Sequence, residues 1–452
     1  MKKENSIAMP LINEHAAGID VGSKSHYVAV GQSDDDVCKF NVYSKDNAAL
    51  VAHLKNKGIK TVAMESTGSY WQTLYSCLQA AGFEVVLSNN YIKDPQRKTD
   101  TKDARWLQRL HSLGLLKGAF IPSLSIERIR TYHRQRENIV ALAAGCQLKM
   151  QKALRLMNIR LDIALSDITG LSGMRMLEAI VQGERSGQKL ASLAHSTVKK
   201  SKEEIADALQ GQWKEEQLFI VADELEAYKS YQKRIAAYDK KIEELLKDAA
   251  SQLPAPDQPL NKKPSRRKPR KNMPAYNVEK LSMEYFGVNL LKVEGVGHST
   301  IMTFIAEVGT DISKFPTKKH FTSWLRLAPN NKKTGDKTFS TRTPKGKSIM
   351  ANAFRLAANT ISQRKRGVFK NTFVRIAIKK GRAAAITALA RKLAEIFWIM
   401  AVKKVPYMPA DELDYALKLK QNTIRNICRK MKRLNIVTDD LVFNSIASPS
   451  LS

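Results

Sequence analysis

Residues 18–32 read GIDVGSKSHYVAVGQ. An apolar entry that carries Asp20 is followed by the turn-forming Gly22-Ser-Lys and then by the alternating run Tyr27-Val28-Ala29-Val30, so the stretch reads as a β-hairpin. Working outward, CKFNVY (38–43) can pair with it as a third strand. Asn47 to Lys55 is helical, and KTVAMES (60–66) is a short buried strand that reaches Glu65. Tyr70 to Ala81 forms the next helix, with Gly82 placed as its stop. FEVVLSN (83–89) is a further strand and Asp103 to Leu115 a further helix.

Three early antiparallel strands followed by β-α-β-α are what an α/β sheet of the ribonuclease-H-like kind requires, although periodicity alone also suits other α/β folds. Beyond Pro122 the pattern is purely helical. Ile129, Tyr132, Arg136, Ile139, Ala143, Cys146, Met150, Ala153 and Met157 recur at alternating spacings of three and four, and a second seam runs through Leu218, Val221, Leu225, Tyr228, Gln232, Ile235, Asp239, Ile242 and Leu246. Such seams belong to long coiled-coil helices, paired either as one antiparallel hairpin or across a dimer interface. Residues 251–275, SQLPAPDQPLNKKPSRRKPRKNMPA, break every period and read as an extended linker. The expected organisation is therefore an α/β domain over 1–120, a helical coiled-coil region over 121–250, a basic Pro-rich linker over 251–280, a mostly α-helical domain over 281–405, and a basic helix with a frayed polar tail over 406–452.

Charge narrows the partners. Lys and Arg number 75 against 43 Asp and Glu, for a net charge of +32 and an isoelectric point near 9.9. A chain with that excess repels itself unless a polyanion is present, which makes nucleic acid the leading partner. No apolar run approaches membrane-spanning length, and MKKENSIAMPLINEH lacks the apolar core of a signal peptide. Cys38, Cys77, Cys146 and Cys428 are scattered, which excludes a Cys-rich zinc knuckle and gives no disulfide framework. The expected location is the bacterial cytoplasm, associated with the nucleoid.

Four acids stand out by position. Asp20 and Glu65 lie at strand ends, each followed within three residues by glycine, and open α/β sheets place their sites at the C-terminal ends of strands. Asp100 and Asp103 stand three apart in KTDTKDARWL at a helix start, so they share a face. Four carboxylates brought together repel one another unless a cation lies among them. An all-carboxylate site suits Mg²⁺, and a pair of such ions can activate an attacking oxygen and stabilise a leaving one. For each acid alone, an ordinary surface carboxylate is the competing reading.

Farther on, LLKVEGVGHSTIMTFIAEVG (290–309) has the pattern of a helix-hairpin-helix, in which Gly295 and Gly297 form a tight turn that can hold phosphates without reading sequence. Lys262, Lys263, Arg266, Arg267, Lys268, Arg270 and Lys271 make the linker either a phosphate-tracking arm or a solvated tether. The loop after Trp324 is polar and basic and carries Thr334, Thr338, Ser340, Thr341, Thr343 and Ser348. A hydroxyl beside Lys or Arg can attack a phosphodiester, although loop hydroxyls more often cap and turn.

GIDVG, MESTG, KTDTKDARWL, LGLLKGAFIP, LLKVEGVG, AEVGTDISKFPTKKHFTSWLRLAPNN and ITALARKLAEIFW, in this order, resemble the insertion-sequence one-ten transposases over nearly the whole chain. The resemblance implies an N-terminal RuvC-like domain whose Asp-Glu-Asp-Asp quartet, at Asp20, Glu65, Asp100 and Asp103, binds Mg²⁺. It implies a coiled-coil stretch and a C-terminal transposase domain whose serine attacks the DNA backbone and forms a covalent intermediate. It also implies a homo-oligomer, dimer or tetramer, acting on target and donor DNA with a structured noncoding guide RNA. The chain departs from the pattern at the nucleophile. Thr334 stands where the serine belongs, in Pro329-Asn330-Asn331-Lys332-Lys333-Thr334-Gly335-Asp336-Lys337, and Asp336 replaces a glycine. Threonine keeps the hydroxyl and adds a crowding methyl group, so Thr334 is the expected nucleophile and Ser340 the alternative. Two other readings stay open: a RuvC-like endonuclease that uses water, and a basic scaffold without catalysis.

Overall fold

The computed structural model describes residues 10–66, 68–88, 99–253, 272–274, 276–335 and 337–408 and the backbone of 412–433. They fall into two units, Met1–Ile121 and Pro122–Ser452.

In the first unit, strands β1 (Ala16–Val21), β2 (Ser25–Ala29) and β3 (Val37–Asn41) precede helix α1 (Ser44–Asn56), β4 (Thr61–Glu65), α2 (Trp71–Ala80), β5 (Glu84–Ser88) and α3 (Asp100–Ser112). The sheet order is β3-β2-β1-β4-β5. β1 pairs antiparallel with β2 and β2 with β3, while β1–β4 and β4–β5 are parallel. This is the mixed sheet of a ribonuclease-H-like fold. Side chains alternate along a strand, and the alternation assigns the two faces. Ala17, Ile19, Val21, Val62, Met64 and Leu87 join Leu50, Leu54, Leu74 and Leu78 in one core under α1 and α2. Gly18 and Thr61 point the other way, toward α3. The third helix starts at Asp100, three residues earlier than its apolar pattern suggests, because Thr99 caps it: the Thr99 hydroxyl accepts from Lys102 N at 3.3 Å.

In the second unit α4 (Leu124–Leu156) and α9 (Glu215–Ala250) lie antiparallel, with Tyr132 against Tyr238 and Lys149 Nζ 2.6 Å from Glu224 Oε1. The two seams therefore meet within one chain as a helical hairpin. Arg136 and Asp239, one charged position from each seam, are each other's partner: Nε–Oδ1 is 2.6 Å, Nη2–Oδ2 is 3.2 Å, and Arg136 also donates to Asn272 O at 2.9 Å. Between the long helices, α5 (Leu161–Ala164), α6 (Leu171–Val181), α7 (Gly187–Ser192) and α8 (Lys202–Ala208) contribute Leu161, Ile180, Leu190 and Ile205 to the same core as Ile139, Met150 and Val221. Their short lengths left them without a legible period.

The remainder comprises α10 (Val278–Phe286), α11 (His298–Glu307), α12 (Lys318–Trp324), β6 (Lys332–Thr334), β7 (Lys337–Ser340), α13 (Ile349–Ser362), α14 (Val368–Lys380), α15 (Arg382–Lys403) and α16 (Glu412–Arg433). Phe304, Phe321, Phe354 and Phe397 are fully buried, and the Phe397 ring stands edge-on to Phe304 at 5.3 Å and to Phe354 at 5.0 Å. Arg134 seats α11 on α4 through a bidentate pair with Glu307, both contacts at 2.8 Å. Beyond the mixed sheet, then, the chain is mostly helical. Part of the polar stretch after Trp324 is a small hairpin rather than a loop, because Gly335, at φ +56°, allows the reversal between Thr334 and Lys337. Among the described residues no helix is long and apolar enough to cross a membrane, and all four cysteines are unpaired.

Candidate active site

Backbone placement puts the sequence-predicted acids on neighbouring elements at one corner of the first unit. Asp20 lies on β1 two residues beyond Gly18, so the two share the α3 face of the sheet. Gly18 pairs with Ala63 and Ile19 with Met64 in the parallel register, which brings Glu65, the last residue of β4, beside Asp20 on that same face. The third helix crosses this face close to the strands. A Cβ on Gly18 would stand 2.3 Å from Gln108 N and 2.5 Å from Ala104 O, so a glycine is required there for the helix to approach.

The direction of α3 follows from its contacts. Near its C-terminus His111 Nε2 is 2.9 Å from Thr61 Oγ1, at the start of β4, and Gln108 Nε2 donates to Ala16 O at 3.1 Å, at the start of β1. The helix therefore runs back against β1, and its first turn lies toward the C-terminal ends of β1 and β4. Ala104 stands over Gly18. Four helical residues back, to Asp100, advance about 6 Å, and two strand residues forward, to Asp20, about 6.6 Å. The first turn, with Asp100 and Asp103, thus draws level with Asp20 and Glu65. Carboxylates in a first turn also meet the positive end of the helix dipole.

Oxygen-only donors at one corner fit a hard divalent cation in their chemistry and in the elements that carry them. Among the described residues no three Asp, Glu, His or Cys side chains stand close enough together to hold one ion. Behind the corner the support is buried. His111 is 4% exposed, and burial holds its pKa below the ordinary value. Gln108 also meets Gln32 side chain to side chain. These supporting residues were missed in the sequence, although Ala104, Leu107, Gln108 and His111 repeat at the spacing of one helix face and Gly18 interrupts a strand.

In the second unit Thr334 is exposed at the end of β6, opposite Lys337. Ser340, half-buried at the end of β7, accepts from Arg342 N through its Oγ at 3.3 Å. Gly295, at φ +75°, faces α13, where a Cβ would meet Ala357 O at 2.7 Å, whereas Gly297 has open space before the first turn of α11. Lys262, Lys263, Arg266, Arg267, Lys268, Arg270 and Lys271 lie outside the described residues.

A mixed sheet of order β3-β2-β1-β4-β5, with acids at the C-terminal ends of its central strands and on the first turn of the helix that crosses them, is a ribonuclease-H-like arrangement suited to phosphoryl transfer. Residues 17–159 match the DEDD transposase family of IS110 elements, described as Transposase, and residues 288–373 match the family described as Transposase IS116/IS110/IS902 family. The two matches together take in about half of the chain. No curated protein matches it. The chain belongs to the IS110 family of insertion-sequence transposases, enzymes of DEDD phosphoryl transfer that act on DNA and whose fold implies a divalent metal.

Proposed function

We propose that this transposase cuts and rejoins DNA with Asp20, Glu65, Asp100 and Asp103 as its Mg²⁺ ligands and Thr334 as its nucleophile. The observation that supports the acidic site best is the level at which the first turn of α3 meets Asp20 and Glu65 on one face of the sheet. Asp20, Glu65, Asp100 and Asp103 would hold the divalent metal, which would supply positive charge against the phosphate. Thr334 Oγ1 forms a bond to phosphorus as the bond to a deoxyribose oxygen breaks. The proton lost by the threonine is balanced by the one gained by the departing oxygen. One phosphodiester replaces another, so the freed hydroxyl of a second strand can reverse the step and rejoin DNA without an energy source. The resemblance to the family supports a structured noncoding guide RNA, a dimer or tetramer, and a RuvC-like sheet joined to a transposase domain through the coiled-coil hairpin. Gly297 at the start of α11 and the Lys262–Lys271 arm are assigned to phosphate contacts, with Gly295 shaping the turn.

Labelled DNA incubated with Mg²⁺ and guide RNA and then denatured tests the nucleophile. Label should remain on the protein through residue 334. Thr334→Ala should lose adduct and recombination together, and Thr334→Ser should keep or raise both, since it removes the methyl group beside the hydroxyl. Loss of the adduct in Ser340→Ala but not in Thr334→Ala would transfer the role to Ser340. A fully active Thr334→Ala enzyme that forms no adduct would make the chain a nuclease that uses water.

A further inference from the structure

A cleft of about 1320 Å³ opens in the second unit between the stretch that follows Leu327 and the helices α14 and α15. Six cationic side chains line it: Arg342 after β7, Arg375, Lys379 and Lys380 at the end of α14, and Arg391 and Lys392 on α15. One carboxylate faces them, Glu395, which is already engaged by Arg391 at 3.1 Å and Lys318 at 3.6 Å. Among the described residues Arg342, Arg375, Lys379 and Lys380 make no ion pair, and all four are exposed. Unneutralised cations at this density repel one another, and a polyanion relieves the repulsion.

The floor indicates which polyanion. On the α15 side it is built of Ala383, Ala384, Thr387 and Ala388, so the helix surface is low and an extended chain can lie close to it. The first turn of α15, which follows Gly381 at φ +81°, brings its unbonded N–H groups to the same end as Ala383 and Ala384. Among the described residues no aromatic ring lines the cleft. Single-strand binding sites stack bases on aromatic rings, whereas a duplex keeps its bases stacked internally and presents its phosphates. We infer that this cleft seats the phosphate backbone of a nucleic-acid duplex, with Arg375, Lys379 and Lys380 of α14, Lys392 of α15 and Arg342 of the stretch after β7 as its cationic contacts. The inference deepens the recombinase reading by assigning a seat to the duplex. It does not depend on which hydroxyl attacks.

The full chain, held in EDTA so that no strand is cut, is titrated with labelled DNA duplex, RNA duplex and oligo-dT across a range of salt. Arg375→Ala/Lys379→Ala/Lys380→Ala should flatten the log–log salt slope for duplex by about 3, roughly one for each phosphate contact removed. A control that removes the same charge from the exposed Lys189, Lys199 and Lys202 should leave the slope as in the parent. Ala388→Trp keeps every charge and fills the floor, and should weaken duplex binding about tenfold or more. Loss on both duplexes supports a shared backbone seat, and loss on one alone assigns the cleft to that source. Equal slopes for the cleft and control triples would reduce the effect to net charge and overturn the inference, as would a larger loss on oligo-dT than on duplex. A positive result here together with no adduct at residue 334 would sink the proposed nucleophile and leave the cleft standing.

Discussion

The acidic corner of the sheet unit and the hydroxyl-bearing hairpin of the helical unit are built in opposite ways. Each acid is attached to an element clamped by a core. Ile19 and Met64, beside Asp20 and Glu65, are fully buried, and Ala104, beside Asp103, is fully buried against β1. Thr334 sits on strands of three and four residues that are exposed except at Ser340, with a register shift between Lys332 and Lys333. Preorganised groups act best on rigid elements with packed support, and segments with few buried contacts open at low cost. The difference teaches that the core fixes the backbone elements carrying the acids in advance, whereas the hairpin carrying Thr334 has little packing of its own to fix it.

The strongest way to break this comparison is to remove charge at the rigid corner without altering its shape. Asp20→Asn should lower strand cleavage by on the order of 10³-fold or more, the scale of a group that acts chiefly in the transition state. Affinity for duplex DNA in EDTA should stay within about twofold, since phosphate contacts carry binding. Single-turnover cleavage beside a binding titration reads both. Cleavage at the parent rate would remove Asp20 from the site.

Two glycine substitutions sharpen it. At Gly18 a methyl group would strike the backbone of α3 at Gln108 N, 2.3 Å away, so the helix has to shift off β1. Gly18→Ala should cost the sheet unit about 1–3 kcal/mol in a denaturant melt and lower cleavage as the first turn of α3 leaves the level of Asp20. At Gly335 nothing stands within 4 Å, and the cost of alanine comes from φ +56° alone, about 1–2 kcal/mol for a left-handed residue. Because the hairpin packs against little, Gly335→Ala should leave the global melt unchanged and show its cost in adduct formation. Equal effects of the two on the melt would contradict the contrast between the regions.

Much of this was legible in the sequence for physical reasons that differ by element. The strands of the sheet and the two long seams were readable because burial on one face imposes a period, and Arg136 in the first seam and Asp239 in the second are charged positions that the structure pairs. The four acids stood out because carboxylates at the ends of apolar strands and in the first turn of a helix have no role in a core. The hairpin at Lys332–Ser340 was not, because strands so short and so polar have no apolar alternation, and their single signal is the turn at Thr334-Gly335. The cleft was not, because Arg342, Arg375 and Lys392 are distant in sequence and converge only when α14 and α15 pack. Gln108 and His111 are polar residues of a basic helix, and the close approach of α3 to Gly18 buries them.

The smallest expected effect comes from His111 and tests whether the support behind the acids is as buried as the packing implies. Burial lowers its pKa from the ordinary value near 6.5, against the opposing pull of Glu84. The unfolded chain therefore takes up a proton near pH 6.5 while the folded unit still resists it, so the stabilisation is complete above that value. It falls away as the pH drops below 6.5 and stops falling once the pH passes the lower folded pKa. His26, buried in the same unit and lowered by burial as well, adds in the same direction. Denaturant melts of the sheet-unit transition between about pH 8 and pH 5 should show stability constant in the upper half of the range and declining in the lower. His111→Gln keeps a polar partner within reach of Thr61 and removes one titrating group, so its curve should start lower or equal at high pH and decline less steeply, with the remaining slope owed to His26 and His53, both lowered by burial. A variant curve parallel to the parent's throughout would show that His111 is hydrated in solution, and α3 would then lie farther from β4 than its 2.9 Å contact with Thr61 describes.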